Sequence, residues 1–417
     1  MADRQKGGHL AKDRILVALD IGTTKVALLV GEVQDKNIKI IGNAMFPSLG
    51  MKRGVVVDLE KTIYSIETAI EKAEKMADLD IDSAYISIGG SHIQSLNNKG
   101  IVAISSPSKE VSQEDIDRVI ETAKTFNLAP TRRIIHVIPR EYTVDEQRGI
   151  RDPLGMAGSR LGVEVHIVSG QNTTIQNLLK CTQNAGIRDE RLVLQSIASA
   201  EAILTDDEKE LGTALVDIGG GTTDIAIYLG GSIIYSSVIP MGGEHVTNDI
   251  AIGLRTPIEE AEKLKIKKGY AISDNVDEND KIEIPSPGGE GVTISTRKQL
   301  CEIIQPRMEE IYSLVKRSIA ESSCSNNLSG GVVITGGGSE LSGNLSLAEK
   351  VLGLPVRAGK PGKSISTITD DIISPKYSTA AGLLLYGLKS REEFYDDNLT
   401  GGILDAIISR LKSIFTV

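Results

Sequence analysis

Tryptophan is absent from the 417 residues and aromatic side chains make up only 3%, so the 40% hydrophobic content rests almost wholly on aliphatic and small residues. Basic residues are in deficit, with 46 Lys and Arg against 56 Asp and Glu and a net charge of −10. Nucleic-acid affinity depends on neutralising backbone phosphates with cations, so this balance argues against a nucleic-acid partner. The three cysteines, Cys181, Cys301 and Cys324, show no pairing or metal-ligand spacing, which fits a reducing compartment. His9, His92, His136, His166 and His245 are equally scattered, and no zinc site follows from them. Residues 1–14 are polar and lack the apolar core of a signal peptide, and no apolar run is long enough to span a bilayer.

Against these absences stands the stretch Leu215-Val216-Asp217-Ile218-Gly219-Gly220-Gly221-Thr222-Thr223-Asp224, an apolar strand leading into an acidic residue, a triple glycine and two threonines. Successive glycines let the chain reverse with its N–H groups turned inward, where anionic oxygens can rest on backbone. Thr222 and Thr223 add hydroxyl donors. Asp217 or Asp224 can hold a hydrated Mg²⁺, an ion that takes one or two carboxylates together with waters and phosphate oxygens. The pattern is written once before, as Asp20-Ile21-Gly22-Thr23-Thr24-Lys25 behind Val17, Ala18 and Leu19. Apolar residues continue beyond each turn, so each copy predicts a hairpin that grips phosphate. One such loop alone reads equally well as an ordinary β-turn; two matched copies point to a nucleotide site between two similar halves.

A third apolar strand, Val332-Val333-Ile334-Thr335, feeds Gly336-Gly337-Gly338 without an acidic residue, and offers a flat backbone surface to a base or ribose. In this order the motifs resemble the phosphate-one, phosphate-two and adenosine motifs of the actin, sugar kinase and heat-shock chaperone superfamily. The resemblance implies an α/β, actin-like (ribonuclease H-like) two-lobed ATPase fold with ATP and Mg²⁺ as cofactors, and Asp20 and Asp217 holding the metal through water. It also implies a polar residue on the helix before the second phosphate strand that orients an attacking water. Glu201 is the candidate, with Asp217 beside it; a solvent-facing glutamate is the alternative. Gly242-Gly243 offers backbone to phosphate at a helix start. Glu262 and Lys265 match a pair that flanks adenosine in the superfamily, with a solvated ion pair on one helix face as the alternative.

The expected organisation is a flexible leader over 1–14, subdomain 1A over 15–90, an inserted α+β subdomain 1C over 91–168 and the remainder of 1A over 169–205. Subdomain 2A follows over 206–242 and 306–378 around 2B at 243–305, then a helix closing 1A at 379–388, a linker at 389–402 and an amphipathic helix at 403–417. Periodicity predicts helices over 58–76, 112–126, 172–184 and 192–204, an exposed loop over 147–160, and a long helix from about 296 that Pro306 kinks or splits. In the tail, Ile403, Leu404, Ile407, Ile408, Leu411, Ile414 and Phe415 form an apolar stripe, with Arg410 and Lys412 on the other face. Such a helix is too short to span a bilayer but can lie in the interface beside anionic headgroups; docking on the protein's own core is the alternative.

Taken together, the actin-like motifs, the insertion and the terminal helix are similar to the FtsA family of bacterial cell-division proteins over nearly the whole chain. The resemblance implies an ATP-binding adaptor that polymerises on the cytoplasmic side of the inner membrane at the septum. It would anchor FtsZ filaments and recruit later divisome proteins, with slow ATP turnover at most. The FtsZ C-terminal tail is expected at a basic helix start, where Lys298 and Arg307 match, and the insertion is expected to contact neighbouring subunits. Another actin-like filament or pilus-assembly adaptor, or less closely a superfamily kinase, is the alternative.

Overall fold

The structure is a computed structural model that describes residues 14–399 apart from 36, 288–290, 323, 325–326, 363 and 367–371, with side chains described to Arg391. The first lobe opens with β1 (Ile15–Ile21), β2 (Lys25–Gln34) and β3 (Asn37–Pro47), then a small hairpin of β4 (Met51–Lys52) and β5 (Val55–Val56). Helix α1 (Leu59–Ala77) follows, capped by Asp58, whose side chain accepts from the Lys61 N–H; β6 (Ser83–Ile88) completes this part.

An inserted unit comprises β7 (Gln94–Ala103), α2 (Gln113–Lys124), β8 (Arg132–Val144), β9 (Gln147–Ile150) and β10 (Arg160–Gln171). Ser112 and Asp115 form a capping box at the start of α2, the device their spacing foretells. Part of the segment read as an exposed loop over 147–160 is instead β9, paired with β8 through Tyr142 and Ile150. The polar, glycine-rich composition concealed an edge strand that needs only one buried residue, Ile150.

The chain then returns to the first lobe through α3 (Asn172–Asn184), β11 (Arg188–Leu194) and α4 (Gln195–Ile203). The reading of 192–204 as one helix merged two elements: Leu192, Val193 and Leu194 pair in parallel with β6, and the helix begins only at Gln195. A buried parallel strand and a buried helix are both continuous apolar runs, and periodicity alone cannot divide them.

The second lobe contains α5 (Asp206–Leu211), β12 (Thr213–Ile218), β13 (Thr223–Leu229), β14 (Ser232–Ile239), α6 (Gly243–Leu254), α7 (Ile258–Lys268), β15 (Lys281–Pro285), β16 (Val292–Thr296) and α8 (Arg297–Glu321). It continues with β17 (Val332–Thr335), α9 (Asn344–Leu352) and β18 (Val356–Ala358), before β19 (Ile365–Ser366) and α10 (Ser378–Leu399) rejoin the first lobe. Helix α8 runs unbroken through Pro306, so neither the predicted split nor a 305/306 boundary falls between elements. Its apolar residues Leu300, Ile304, Met308, Ile311 and Tyr312 are buried on both sides of the proline, and that packing outweighs one missing N–H bond. Helix α10 likewise extends to Leu399, through most of the expected linker; no proline or glycine interrupts 388–400.

The two lobes repeat one topology. The first sheet has the order β11-β6-β1-β2-β3-β19 and the second β14-β13-β12-β17-β18. In each, an antiparallel meander of three strands adjoins two parallel strands, so β1 corresponds to β12 and β6 to β17. The inserted sheet, β7-β10-β8-β9, has its own apolar core built on Val119, Leu161, Val163 and Val165. It also covers the exposed edge of the second lobe: Ser95 Oγ donates to the Ser236 carbonyl (2.6 Å) and Asn97 Nδ2 to the Ile234 carbonyl (2.9 Å) on β14. An edge strand otherwise invites foreign pairing, and here the insertion occupies it.

Candidate functional site: a cleft between two matched hairpins

The two phosphate-type turns share a backbone hydrogen bond as well as a sequence. The Gly22 N–H donates to the Lys25 carbonyl at 2.9 Å, and the Gly219 N–H donates to the Thr222 carbonyl at 2.9 Å. Ladder register agrees: Asp20 lies opposite Ala27, and Asp217 opposite Asp224. Thr23 and Thr24 therefore correspond to Gly220 and Gly221, while Thr222 corresponds to Lys25. The turns also face each other. A Cβ on Gly220 would stand 2.3 Å from Thr24 Cγ2, and one on Gly221 would stand 2.5 Å from Thr23 Oγ1. Glycines in the second turn make room for threonines of the first.

This geometry corrects the expected role of the second-turn hydroxyls. Thr222 Oγ1 donates to Asp224 Oδ2 (2.9 Å) and Thr223 Oγ1 to the Met241 carbonyl (2.8 Å), so both brace the protein itself. The available donors are main-chain ones: among the described residues the N–H groups of Thr23, Thr24, Gly220 and Gly221 have no acceptor. Successive unpaired N–H groups form an anion-binding concavity. Gly242 and Gly243 act differently from expectation too. At the start of α6 the Gly243 and Glu244 N–H groups donate to the carbonyls of Gly219 (2.9 Å) and Gly220 (2.8 Å). The helix N-terminus holds the carbonyl side of the loop and has no free N–H there for phosphate.

Asp20, Asp217 and Asp224 are all buried below these turns. Asp20 Oδ1 accepts from Ser87 Oγ (2.8 Å) and Gln195 Nε2 (3.4 Å), and Asp217 Oδ2 from Ser199 Oγ (2.6 Å) and Thr379 Oγ1 (3.4 Å). Asp224 Oδ1 is buried without a partner. Burial, followed by the nearby Asp217 carboxylate, pushes Asp224 up to about 7; burial, with a smaller contribution from Asp20, also raises Asp217. Burial lowers the Lys25 ammonium, against the opposing pull of Asp20 and Asp217. Crowded, desolvated carboxylates with one orphaned oxygen fit a divalent cation. Among the described residues no three acidic, His or Cys groups are grouped closely enough to hold a metal ion, so an ion here would have to take its remaining ligands from water and phosphate oxygens.

The third glycine turn follows β17, the parallel neighbour of β12. Gly336 has φ 82°, and a Cβ there would lie 2.3 Å from Asp217 Oδ1. Gly338 packs on Ile218, while a Cβ on Gly337 would meet only Lys376 Cγ at 3.6 Å. One of the three glycines thus meets only the flexible stem of Lys376, at ordinary contact distance; the other two allow close approach to the acidic strand. Glu262 and Lys265 form an ion pair at 2.7 Å. Lys265 Nζ also donates to the Gly243 carbonyl (3.0 Å) and Thr247 Oγ1 (2.8 Å), so the pair braces the start of α6.

Comparison with known proteins agrees with this architecture. A family model described as Cell division protein FtsA matches residues 214–382, and one described as SHS2 domain inserted in FTSA matches residues 90–169. The cell division protein FtsA of Pseudomonas aeruginosa is 42% identical over 406 residues, covering 96% of this chain and 97% of that protein. The chain belongs to the FtsA family. FtsA of Escherichia coli is 41% identical over 389 residues, covering 91% and 92% of the two chains. Among solved structures, a PilM-PilN type IV pilus biogenesis complex matches with TM-score 0.65 at 15% identity, covering 89% of this chain and 98% of that one. MreB 5 of Spiroplasma citri bound to AMPPNP matches with TM-score 0.55 at 13% identity, covering 92% and 99%. At such identities these two show the actin-like fold alone.

Within this FtsA-family fold, Glu201 is displaced from its expected place. Helix α4 turns Gln195 and Ser199, one helical turn apart, toward Asp20 and Asp217. Glu201 lies round the helix and pairs with Lys209 (3.0 Å) and with Lys389. Burial, the largest single effect, would raise its carboxylate, but the charges and hydrogen bonds of the two lysines together hold it below the ordinary range. Gln195 and Ser199 went unnoticed in the sequence; their signal was polar residues at i and i+4 in a largely apolar helix. Lys298 pairs with Glu278. Arg307 makes a two-pronged contact with Asp249 (2.6 and 3.1 Å) and a further one with Glu310 (2.5 Å). Nine residues along a helix amount to about two and a half turns, so these cations lie on opposite sides of α8. Ile403, Leu404, Ile407, Ile408, Leu411, Ile414 and Phe415 lie outside the described residues.

Proposed function

We propose that this cell division protein binds ATP with Mg²⁺ between its lobes and acts as a polymerising adaptor on the cytoplasmic face of the inner membrane at the septum. In this reading it anchors FtsZ filaments through the FtsZ C-terminal tail and recruits later divisome proteins. The observation that carries the nucleotide part is the pair of register-matched turns with unpaired N–H groups above three buried aspartates. The N–H groups of Thr23, Thr24, Gly220 and Gly221 take phosphate oxygens. Asp20 and Asp217, oriented by Ser87, Gln195, Ser199 and Thr379, hold the hydrated metal, which neutralises phosphate charge when bound. Gly337 presents its backbone to adenosine, with Glu262 and Lys265 holding the opposing helix. A bound nucleotide would bridge the two turns and so the two halves, and any turnover would be slow.

An acidic FtsZ tail at Lys298 or Arg307 must displace Glu278, or Asp249 and Glu310, so only charge exchange occurs there and binding weakens with salt. Among the described residues no helix is long and apolar enough to cross a membrane; the terminal stripe beyond them supplies the anchor, multiplied along a filament by avidity. A second reading, an adaptor in another actin-like assembly, draws on the likeness to the pilus complex. Co-sedimentation of the full chain with anionic liposomes and an FtsZ C-terminal peptide, with and without MgATP, tests the proposal. Pelleting that brings down the peptide and is lost when the chain ends at Leu399 supports it. Pelleting without peptide favours the second reading, and no pelleting removes the membrane role.

A further inference from the structure

The third glycine turn is held from a side that the nucleotide reading does not use. Tyr312 is fully buried on α8, and its hydroxyl donates to Asn344 Oδ1 at 2.6 Å. Asn344, 1% exposed, is the first residue of α9 and directs its Nδ2 at the carbonyls of Gly338 (3.5 Å) and Ser339 (3.4 Å). The residue before it, Gly343, has φ 76° with the Tyr270 ring 2.4 Å from where a Cβ would stand, so the helix start has no room to shift that way.

An asparagine amide has an acceptor end and a donor end that nearly superpose, and only its partners decide which way it faces. Both loop groups here are carbonyls, which only accept, so the turn stays in place only while Nδ2 faces it. The two carbonyls set which way the amide faces, and the buried Tyr312 hydroxyl, donating to Oδ1 at 2.6 Å, anchors its other end. Without the hydroxyl, Oδ1 is left without a donor in a water-excluded place, where an unmet polar group costs most, and the amide loses the contact that fixes its position against the turn.

We propose that Tyr312 and Asn344 are positioning residues for the adenosine-facing turn, fixing where Gly337 presents its backbone. This rests on the nucleotide reading above and extends it to residues that touch no ligand. The inner side of the turn is secured independently, by Gly336 and Gly338 packed on Asp217 and Ile218. Loss of the pair therefore loosens recognition of the base and leaves the phosphate side in place.

The test is calorimetric titration of the full chain with MgATP and, separately, with magnesium tripolyphosphate, which lacks base and ribose. Tyr312→Phe is expected to weaken MgATP binding by about tenfold, the worth of one lost directing hydrogen bond, and to leave tripolyphosphate binding unchanged. Because that variant strands the Asn344 amide, the double variant Tyr312→Phe, Asn344→Leu is titrated beside it. The double variant no longer strands the amide and so recovers that part of the stability, while the Gly338 and Ser339 carbonyls have lost their side-chain donor, and MgATP must still bind weakly. Equal weakening of both ligands, or recovery of MgATP affinity in the double variant, overturns the proposal as mere destabilisation. Wild-type protein that binds tripolyphosphate and MgATP equally overturns it as well, since no base recognition then exists to be positioned. Wild-type protein that binds neither defeats the nucleotide reading itself.

Discussion

Asp224 stands directly opposite Asp217 in the β12–β13 ladder, whereas the position across from Asp20 in the matching hairpin is Ala27. The asymmetry puts a third carboxyl on one side of the cleft, with an oxygen that no protein group satisfies.

That carboxyl gives the free protein a definite pH response. With its folded value raised from 3.8 to about 7, Asp224 keeps a proton in the native state that the unfolded chain has released. Stability associated with it is complete below the unfolded value and is lost as pH rises through the folded one. The melting temperature of metal-free protein should therefore fall from about pH 4 to about pH 7 and level off above it, and Mg²⁺ with ATP, whose positive charge beside the cluster favours the deprotonated carboxyl, should offset the fall. Asp224→Asn should flatten the profile and reduce the response to Mg²⁺. An unchanged profile in the variant would place the titrating group elsewhere.

The insertion gives a response of opposite sign. His166 is buried between Asn97 Oδ1 (2.7 Å) and Ser236 Oγ (2.9 Å), joining the inserted sheet to the edge strand of the second lobe. Burial, with the Arg140 charge adding, lowers it to about 4. The unfolded chain takes up the proton near pH 6.5 and the native state does not, so stability is complete above that value and is lost as pH falls toward 4. Each such histidine contributes a slope of about 1.4 kcal/mol per pH unit, and His92 and His136 are lowered in the same way. His166→Gln should reduce the acid slope by about one proton's worth, measured by chemical denaturation at a series of pH values.

Much of this was legible in the chain. The two hairpins and the third glycine turn follow from local patterns whose physics is complete within about ten residues. What escaped needed the third dimension. The equivalence of Thr23 with Gly220 appears only once ladder register is known, because the residue names differ at matched positions. The end of strand β11 reads as helix because its three apolar residues, Leu192 to Leu194, run straight into the apolar helix α4, and a run that short shows no alternation to mark it. Lys298 and Arg307 look like a free basic corner until Glu278 and Asp249 are brought to them from elsewhere in the fold, with Glu310 one turn along α8 itself.

Glu201 illustrates how a polar residue near a site can serve the scaffold. It joins α4 to Lys209 at the start of the second lobe and to Lys389 on α10. Lys209 is only 7% exposed, so Glu201→Gln leaves a buried cation without its counter-charge. The expected cost is about 3 kcal/mol, with the affinity for MgATP unchanged once the protein is folded. A large loss of ATP turnover at unchanged stability would instead restore Glu201 to the catalytic role its position in the sequence first indicated.

Gly336→Ala addresses the coupling between the third turn and the acidic cluster. Its φ of 82° is one that a side chain tolerates poorly, and the new methyl would meet Asp217 Oδ1 at 2.3 Å and the Ile218 carbonyl at 2.5 Å. Backbone strain alone is worth about 1–3 kcal/mol. The methyl can be accommodated only by moving the Asp217 carboxylate or the strand that carries it, and Ser199 holds that carboxylate through its other oxygen at 2.6 Å. Displacement therefore falls on Oδ1, the oxygen left to face the cleft. The variant should lose Mg²⁺-dependent stabilisation by ATP out of proportion to its loss of intrinsic stability. Thermal melting with ATP in the presence of Mg²⁺ and of EDTA separates the two. If the Mg²⁺ increment survives intact in a destabilised Gly336→Ala protein, Asp217 Oδ1 is not directed at the metal, and the hydrated ion rests on Asp20 alone.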